Sequence, residues 1–205
     1  MRNFASLMLA AAMLSATPAV VHAQAVGGNP APAAAQGGTF KVDSAHTHVA
    51  FSVMHFGFSD WFGGLSGIDG SLTIDPKAIG SAKLDITIPA ASITTANATL
   101  NEELRGPKFL DAAQFPQIRF VSTKVVKTGA RTAAITGNLT FHGVTKPVVL
   151  NAVFNGGGVN PMNKAYTLGF NATTTISRSA FGVGAYVPAV ADKVELRITA
   201  AFERP

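Results

Sequence analysis

The chain has 205 residues, no cysteine and a formal net charge of +5. The lack of cysteine excludes disulfides, thiol catalysis and thiolate metal sites, so the fold must depend on its apolar core. Lys and Arg are scattered along the sequence rather than clustered, so the sequence shows no basic patch or stripe of the kind expected of a nucleic-acid-binding surface.

Residues 1–23 have the three parts of a secretory signal peptide. Arg2 supplies a positive charge, residues 4–14 form an apolar run, and Val21 and Ala23 are the small residues expected before a cleavage site. The run is shorter than the roughly 20 residues that span a bilayer as a helix, although a retained anchor is the alternative. We therefore expect cleavage after Ala23 and export to the periplasm or the medium. No cysteine is available for lipoprotein attachment.

Residues 24–38 contain mainly Ala, Gly, Pro and Gln and no charged residue. Such a stretch buries too little apolar surface to order itself, so we expect a flexible tether. The remaining residues, 39–205, have the size of one domain with an ample core.

The domain is dominated by alternation of apolar and polar residues, which is typical of β-strands. Short turns rich in Gly, Asn and Pro separate these runs. Eight or more strands joined in this way predict an antiparallel barrel or sandwich. The alternating runs lie at 40–43, 49–56, 71–75, 83–88, 118–123, 135–142, 148–154, 166–172 and 193–200.

One stretch, 93–111, breaks the alternation. Leu100 and Leu104 lie at helical spacing, with polar residues on the other sides, and Gly106 and Pro107 interrupt the pattern. We expect a short helical insert that covers one open end of a barrel.

Three histidines invite a metal interpretation. His46 and His48 would share one side of a strand and could hold a zinc or copper ion, with His55 further along. Because no further ligand stands at a standard spacing, we favour a turn before a strand and predict no metal site. His55 is then either a hydrogen-bonded core histidine or a donor to a ligand headgroup.

Arg178 is the most informative basic residue, since it stands between a Thr-rich strand and a Gly-containing turn. It either pairs with a buried acid and stabilises the barrel, or faces an anionic headgroup, for which its planar fork is suited.

Four segments in the same order resemble the YceI-like family of polyisoprenoid-binding proteins. They are VDSAHT at 42–47 with FSVMH at 51–55, LRGPKFLD at 104–111 with FPQIRF at 115–120, GNLTFHGVTK at 137–146, and ISRSAFG at 176–182. The family often has His where this chain has Glu103, and Asn where it has Ser177.

The resemblance implies an all-β fold: an extended, lipocalin-like antiparallel barrel of eight strands with a short helical insert. It also implies an apolar bore for an isoprenoid or acyl chain, a periplasmic or secreted location, and members that are often dimers.

We therefore expect a binding protein, not an enzyme, that sequesters or carries an amphiphilic lipid of the polyisoprenoid, quinone or fatty-acyl type. It would need no cofactor, and its partners would be the lipid, a membrane in transient contact and a second copy. The alternatives are a metal-assisted enzyme using His46, His48 and His55, or a stress-response interaction protein whose barrel is filled by side chains. The candidate ligand-binding residues are Phe51, Val53, His55, Ile86, Ile88, Phe120, Phe141, Leu150, Phe170, Arg178 and Leu196, the apolar ones chosen from the more apolar strand faces.

Overall fold

A computed structural model describes residues 27–204. Within that range the chain forms strands that pair antiparallel, together with one α-helix, α1 (Ala98–Arg105), and short 3₁₀ turns. The strands are β1 (Gly38–Val42), β2 (His48–His55), β3 (Ser59–Leu65), β4 (Asp69–Ile74), β5 (Lys83–Pro89), β6 (Thr94–Thr95), β7 (Gln117–Lys127), β8 (Thr132–Phe141), β9 (Val144–Val159), β10 (Tyr166–Ser177) and β11 (Lys193–Arg204).

The first six strands combine in pairs into three long strands, each of which is interrupted once: β1 with β2, β3 with β4, and β5 with β6. Both β1 and β2 pair with β11, β4 pairs with β1, and β3 pairs with β2. In the same way β5 pairs with β4, and β6 pairs with β3. Strands β7 to β11 then follow as a meander, and β11 returns to β1 and β2. The sheet is therefore a closed antiparallel barrel of eight long strands, which confirms the predicted fold class.

At the break between β1 and β2, a side chain takes over the hydrogen bonds to the neighbouring strand β11. Thr47 is buried, and its hydroxyl donates to the Ala201 carbonyl at 3.3 Å and accepts from the Ala201 N–H at 3.1 Å. The backbone of β11 thus keeps its hydrogen bonds where the neighbouring strand bends away.

The helical insert lies at one end of the barrel. Asn97 caps α1 by accepting a hydrogen bond from the Leu100 N–H at 3.0 Å. Phe109 and Leu110, which follow the helix, are buried in a cluster with Phe181 and Val183. The insert therefore covers this end of the barrel, as the sequence predicts.

The segment before the barrel differs from the expectation of a flexible tether. Asn29 exchanges two backbone hydrogen bonds with Gly157, and Arg204 donates to the Gly37 carbonyl. Residues 29–37 therefore lie against the barrel. Their composition alone does not predict an ordered segment, but hydrogen bonds to β9 and β11 hold them in place. The predicted signal peptide, 1–23, and residues 24–26 lie outside the described residues.

Candidate functional site

The barrel encloses an elongated apolar cavity of about 390 Å³. This volume lies within the range of roughly 300–1,000 Å³ found for small-molecule sites. A barrel filled by side chains would have no such space, so the filled-barrel alternative does not match the structure.

Inward-facing side chains of the wall are only half buried, although they point into the barrel. Along β11, for example, Leu196, Ile198 and Ala200 are half buried, whereas the outward Glu195 and Arg197 are exposed. Their remaining exposure is to the cavity, because these residues line it. The alternation in the sequence thus separates a cavity-facing stripe from a solvent-facing one.

The structure brings ten of the eleven sequence-predicted site residues together around this cavity. They are Phe51, Val53, Ile86, Ile88, Phe120, Phe141, Leu150, Phe170, Arg178 and Leu196.

His55 is the predicted site residue that does not line the cavity. It stands at the end of β2, where its ring packs against Phe56 and Trp61 with centroid distances of 4.3 and 5.5 Å. Val190 forms a backbone bridge with His55 and is itself part of the cavity wall. At this end of β2 the cavity wall is therefore continued by Val190, which lies beside His55, and not by His55 itself.

Two glycines let aromatic rings pack directly against the backbone of the inner wall. A Cβ atom on Gly63 would lie 2.3 Å from the ring of Phe51, and one on Gly137 would lie 2.3 Å from the ring of Phe120. Both rings therefore occupy the space of an absent side chain instead of the bore. This packing keeps the cavity continuous past two large residues.

Arg178 closes the end of the cavity next to the helical insert. The side chain is buried, and it donates to the backbone carbonyls of Val183, Ala185, Val190 and Ala191 at 2.7–3.0 Å. Burial lowers the pKa of the guanidinium. Its hydrogen-bond partners are thus the backbone of residues 178–192 and not a buried acid.

Asp192 completes this closed end. Its carboxylate accepts a hydrogen bond from the Ser179 N–H at 2.8 Å, and this bond lowers the pKa of Asp192 below its usual range. The carboxylate also stands close enough to Arg178 for the two charges to interact favourably.

The opposite end of the barrel is the mouth. Five residues that line the cavity are exposed, and all five stand at the start of β5 or around the turn between β7 and β8. They are Lys83, Lys127, Ala130, Arg131 and Thr132.

Sequence reasoning did not select the three cations of the mouth. For Lys127 and Arg131 the signal is a basic residue at a strand end that continues an apolar, inward-facing stripe. Lys127 follows Val125 in this way, two residues further along β7. Lys83 shares the outward face of β5 with Asp85, so the alternation does not mark it.

The three histidines of the metal hypothesis do not converge. His46 is exposed, and its Nδ1 pairs with Asp43 at 2.5 Å. His48 is also exposed, and its Nδ1 hydrogen-bonds to the Thr47 carbonyl. Residues 27–204 contain no group of three His, Cys, Asp or Glu side chains arranged to hold a metal ion.

An exposed aromatic hairpin projects from the closed end. The turn between β2 and β3 carries Phe56 and Phe58, of which Phe58 is 90% exposed, and Phe62 is exposed on β3. Among residues 27–204, no helix has the length and apolar character needed to cross a bilayer. Membrane contact and a homodimer stay predictions.

The sequence model of the YceI-like domain matches residues 40–202. The chain is 35% identical over 182 residues to the UPF0312 protein of Pseudomonas savastanoi pv. phaseolicola, covering 89% of this chain and 87% of that relative. It is 38% identical over 142 residues to the UPF0312 protein of Pseudomonas fluorescens, covering 69% of this chain and 70% of the relative.

Solved structures share the barrel. Burkholderia cenocepacia BcnA superposes with a TM-score of 0.71 at 25% identity, covering 78% of this chain and 98% of BcnA. The Campylobacter jejuni YceI protein gives a TM-score of 0.66 at 27% identity, covering 74% of this chain and 90% of that one. A polyisoprenoid-binding domain from Saccharophagus degradans gives 0.59 at 11% identity, covering 83% and 100%, which shows a common fold.

The family model thus spans nearly the whole barrel, and the first of these relatives covers 89% of the chain. Taken with the closed eight-stranded barrel and its apolar cavity, this places the chain in the YceI-like family.

Proposed function

We propose that the protein is exported and holds the apolar chain of an amphiphilic lipid in its barrel, as a carrier or a store in the periplasm or the medium. The lipid would be of the polyisoprenoid, quinone or fatty-acyl type. The observation that carries the proposal is the continuous apolar cavity, closed at one end and open at the other.

The cavity suits a long tail because it has few groups that need a polar partner. Thr47 is engaged by Ala201, and Arg178 by four carbonyls, so neither is left unpaired when water is displaced. Each buried methylene group contributes about 0.8 kcal/mol, so a chain of many carbons binds tightly without polar contacts along its length.

Two further observations support the proposal. The Saccharophagus degradans domain, which has the same fold, is described as polyisoprenoid-binding. The pattern of residues 1–23 supports export, and a lipid tail that must pass through water outside the cytoplasm needs a container.

The experiment compares lipid bound to the wild type with lipid bound to two variants of one strand. Thr174 lines the cavity, whereas Thr173 points outward from the same strand and is exposed. Thr174→Phe should lower affinity by roughly tenfold or more, because a ring that displaces about two methylene groups removes about 1.6 kcal/mol. Thr173→Phe should bind as the wild type does.

Native mass spectrometry and lipid extraction of the purified full chain provide the measurement. The wild type and Thr173→Phe are expected to carry a lipid adduct that Thr174→Phe largely lacks, with equal thermal stability by circular dichroism. A wild type that is free of lipid and takes up no prenyl or acyl lipid would contradict the proposal. Equal binding by all three proteins would place the lipid outside the cavity.

A further inference from the structure

The charges along the cavity all have the same sign. Four charged residues line it, namely Lys83, Lys127, Arg131 and Arg178, and among residues 27–204 no Asp or Glu does. Arg178 lies at the closed end, where four carbonyls occupy its guanidinium. The other three are exposed at the mouth, and we name Lys83, Lys127 and Arg131 the cationic rim.

The cationic rim has unused hydrogen-bonding capacity. Arg131 is held by one bond, from its Nε to the Phe154 carbonyl at 2.9 Å, and within residues 27–204 its two terminal amino groups have no partner. Neither Lys83 nor Lys127 forms a side-chain hydrogen bond or an ion pair with any residue in that range.

The carboxylate on the strand that begins with Lys83 does not neutralise the rim. Asp85 accepts two hydrogen bonds from Arg119 on the outer surface, at 2.7 and 3.0 Å. This pairing lowers the pKa of Asp85. The mouth of the apolar cavity therefore keeps a net positive charge.

We propose that the cationic rim binds the anionic headgroup of the lipid, a phosphate or a carboxylate, while the tail lies in the cavity. This inference rests on the proposed function and deepens it, since it selects anionic amphiphiles over neutral ones such as quinones. The fork of Arg131 suits either oxyanion, and two lysines add mobile charges beside it. Glu103, where the family often has His, is exposed on α1 at the other end and does not oppose this charge.

The test uses the delipidated full-length mature protein and pairs of probes with identical tails. Geranylgeranyl phosphate is compared with geranylgeraniol, and hexadecanoic acid with hexadecanol, by isothermal titration calorimetry. The wild type should bind each anionic probe about tenfold or more tightly than its alcohol, because hydrogen bonds between charged groups are the stronger ones. Added salt should weaken binding of the anionic probes and leave the alcohols unchanged.

The rim variant Lys83→Gln/Lys127→Gln/Arg131→Gln should lose this preference and bind acid and alcohol alike. Its control is Lys41→Gln/Lys146→Gln/Arg197→Gln, which removes three exposed cations that do not line the cavity. The control should keep the preference, although both triple variants have the same net charge.

The outcomes separate the headgroup inference from the proposed function. Equal binding of acid and alcohol by the wild type, or a rim variant that loses both equally, would overturn the cationic rim as a headgroup site while lipid binding stands. A wild type that binds no probe would contradict the proposed function itself. Inorganic phosphate should compete only weakly because it has no tail, and competition as strong as that of geranylgeranyl phosphate would show a free-anion site instead.

Discussion

On the inner wall of the barrel, two large aromatic side chains each pack against a glycine of the neighbouring strand. Phe51 and Phe120 are among the largest side chains that face the cavity, yet each ring lies over a glycine of an adjacent strand. A glycine in a strand interior weakens that strand, so its presence indicates a close approach. At these two positions the close approach is made by a ring that would otherwise fill the bore.

Gly137→Ala should destabilise the fold by about 1–3 kcal/mol, the usual effect of overpacking. The new methyl group would lie 2.3 Å from the Phe120 ring and 2.7 Å from the Val121 carbonyl, so both the ring and the backbone of β7 must shift. Urea denaturation measures the stability, and titration with hexadecanoic acid measures the loss of affinity.

Gly169→Ala is the matched control, because the nearest atoms to its new methyl group would be 3.8 Å away on the same sheet. It should leave stability within about 0.5 kcal/mol of the wild type. If Gly137→Ala were as stable as this control, the close packing of the Phe120 ring on Gly137 would not contribute to the stability of the wall.

At the scale of elements, residues 178–192 form a cover that has almost no regular structure of its own. The cover is tied to β2 by the hydrogen bonds from the Phe56 N–H to the Ala189 carbonyl and from the Ala191 N–H to the Met54 carbonyl. Its interior is held by the four bonds of Arg178. The Arg178 side chain therefore supplies hydrogen bonds to backbone carbonyls of the cover that a neighbouring strand would supply in a regular sheet.

Arg178→Lys should destabilise the protein by about 2–4 kcal/mol. A lysine ammonium has three donors at one point and cannot reach four carbonyls spread along the cover, so buried acceptors lose their partners. Thermal unfolding followed by circular dichroism measures the effect. The exposed Arg197→Lys is the control and should be neutral, and a neutral Arg178→Lys would contradict the role of the guanidinium fork.

At the scale of the whole molecule, the barrel formed by residues 38–204 encloses a cavity that is closed at one end and open at the other. The helical insert and residues 178–192 close one end, while the mouth with its cationic rim stands at the other. The exposed hairpin that carries Phe58 belongs to the closed end, since it is hydrogen-bonded to the cover. Under the proposed function, a lipid would enter or leave at the mouth without disturbing that hairpin.

Removal of the bound lipid should lower the unfolding temperature. A ligand that binds only the folded state stabilises it by about 2.7 kcal/mol at a free concentration of about 100 times its Kd, which corresponds to roughly 5–10 °C for a domain of this size. Differential scanning calorimetry of delipidated protein with and without hexadecanoic acid measures the shift. Thr174→Phe should show a much smaller shift, and an unchanged temperature in the wild type would argue against a ligand in the barrel.

The alternation of residues by itself determined that the domain is built of strands and which face of each strand is apolar, and the short turns between the runs determined that the strands pair antiparallel. The assignment of faces follows from the period of two along a strand, which needs no knowledge of the neighbours. Together with the family resemblance, it placed ten of eleven predicted residues on the cavity wall. His55 does not line the cavity, although the alternation continues to the end of β2, and Val190 from a distant part of the chain lines it beside that end.

Only the tertiary structure decided whether the barrel is open, where its mouth lies and what Arg178 contacts. The bore stays open because rings on one strand lie over glycines on the next, a relation that depends on register across strands. The cationic rim joins Lys83 to Lys127 and Arg131, both of which lie more than forty residues after Lys83 in the chain. The partners of Arg178 are backbone carbonyls, which every residue possesses, so no side-chain pattern could single them out.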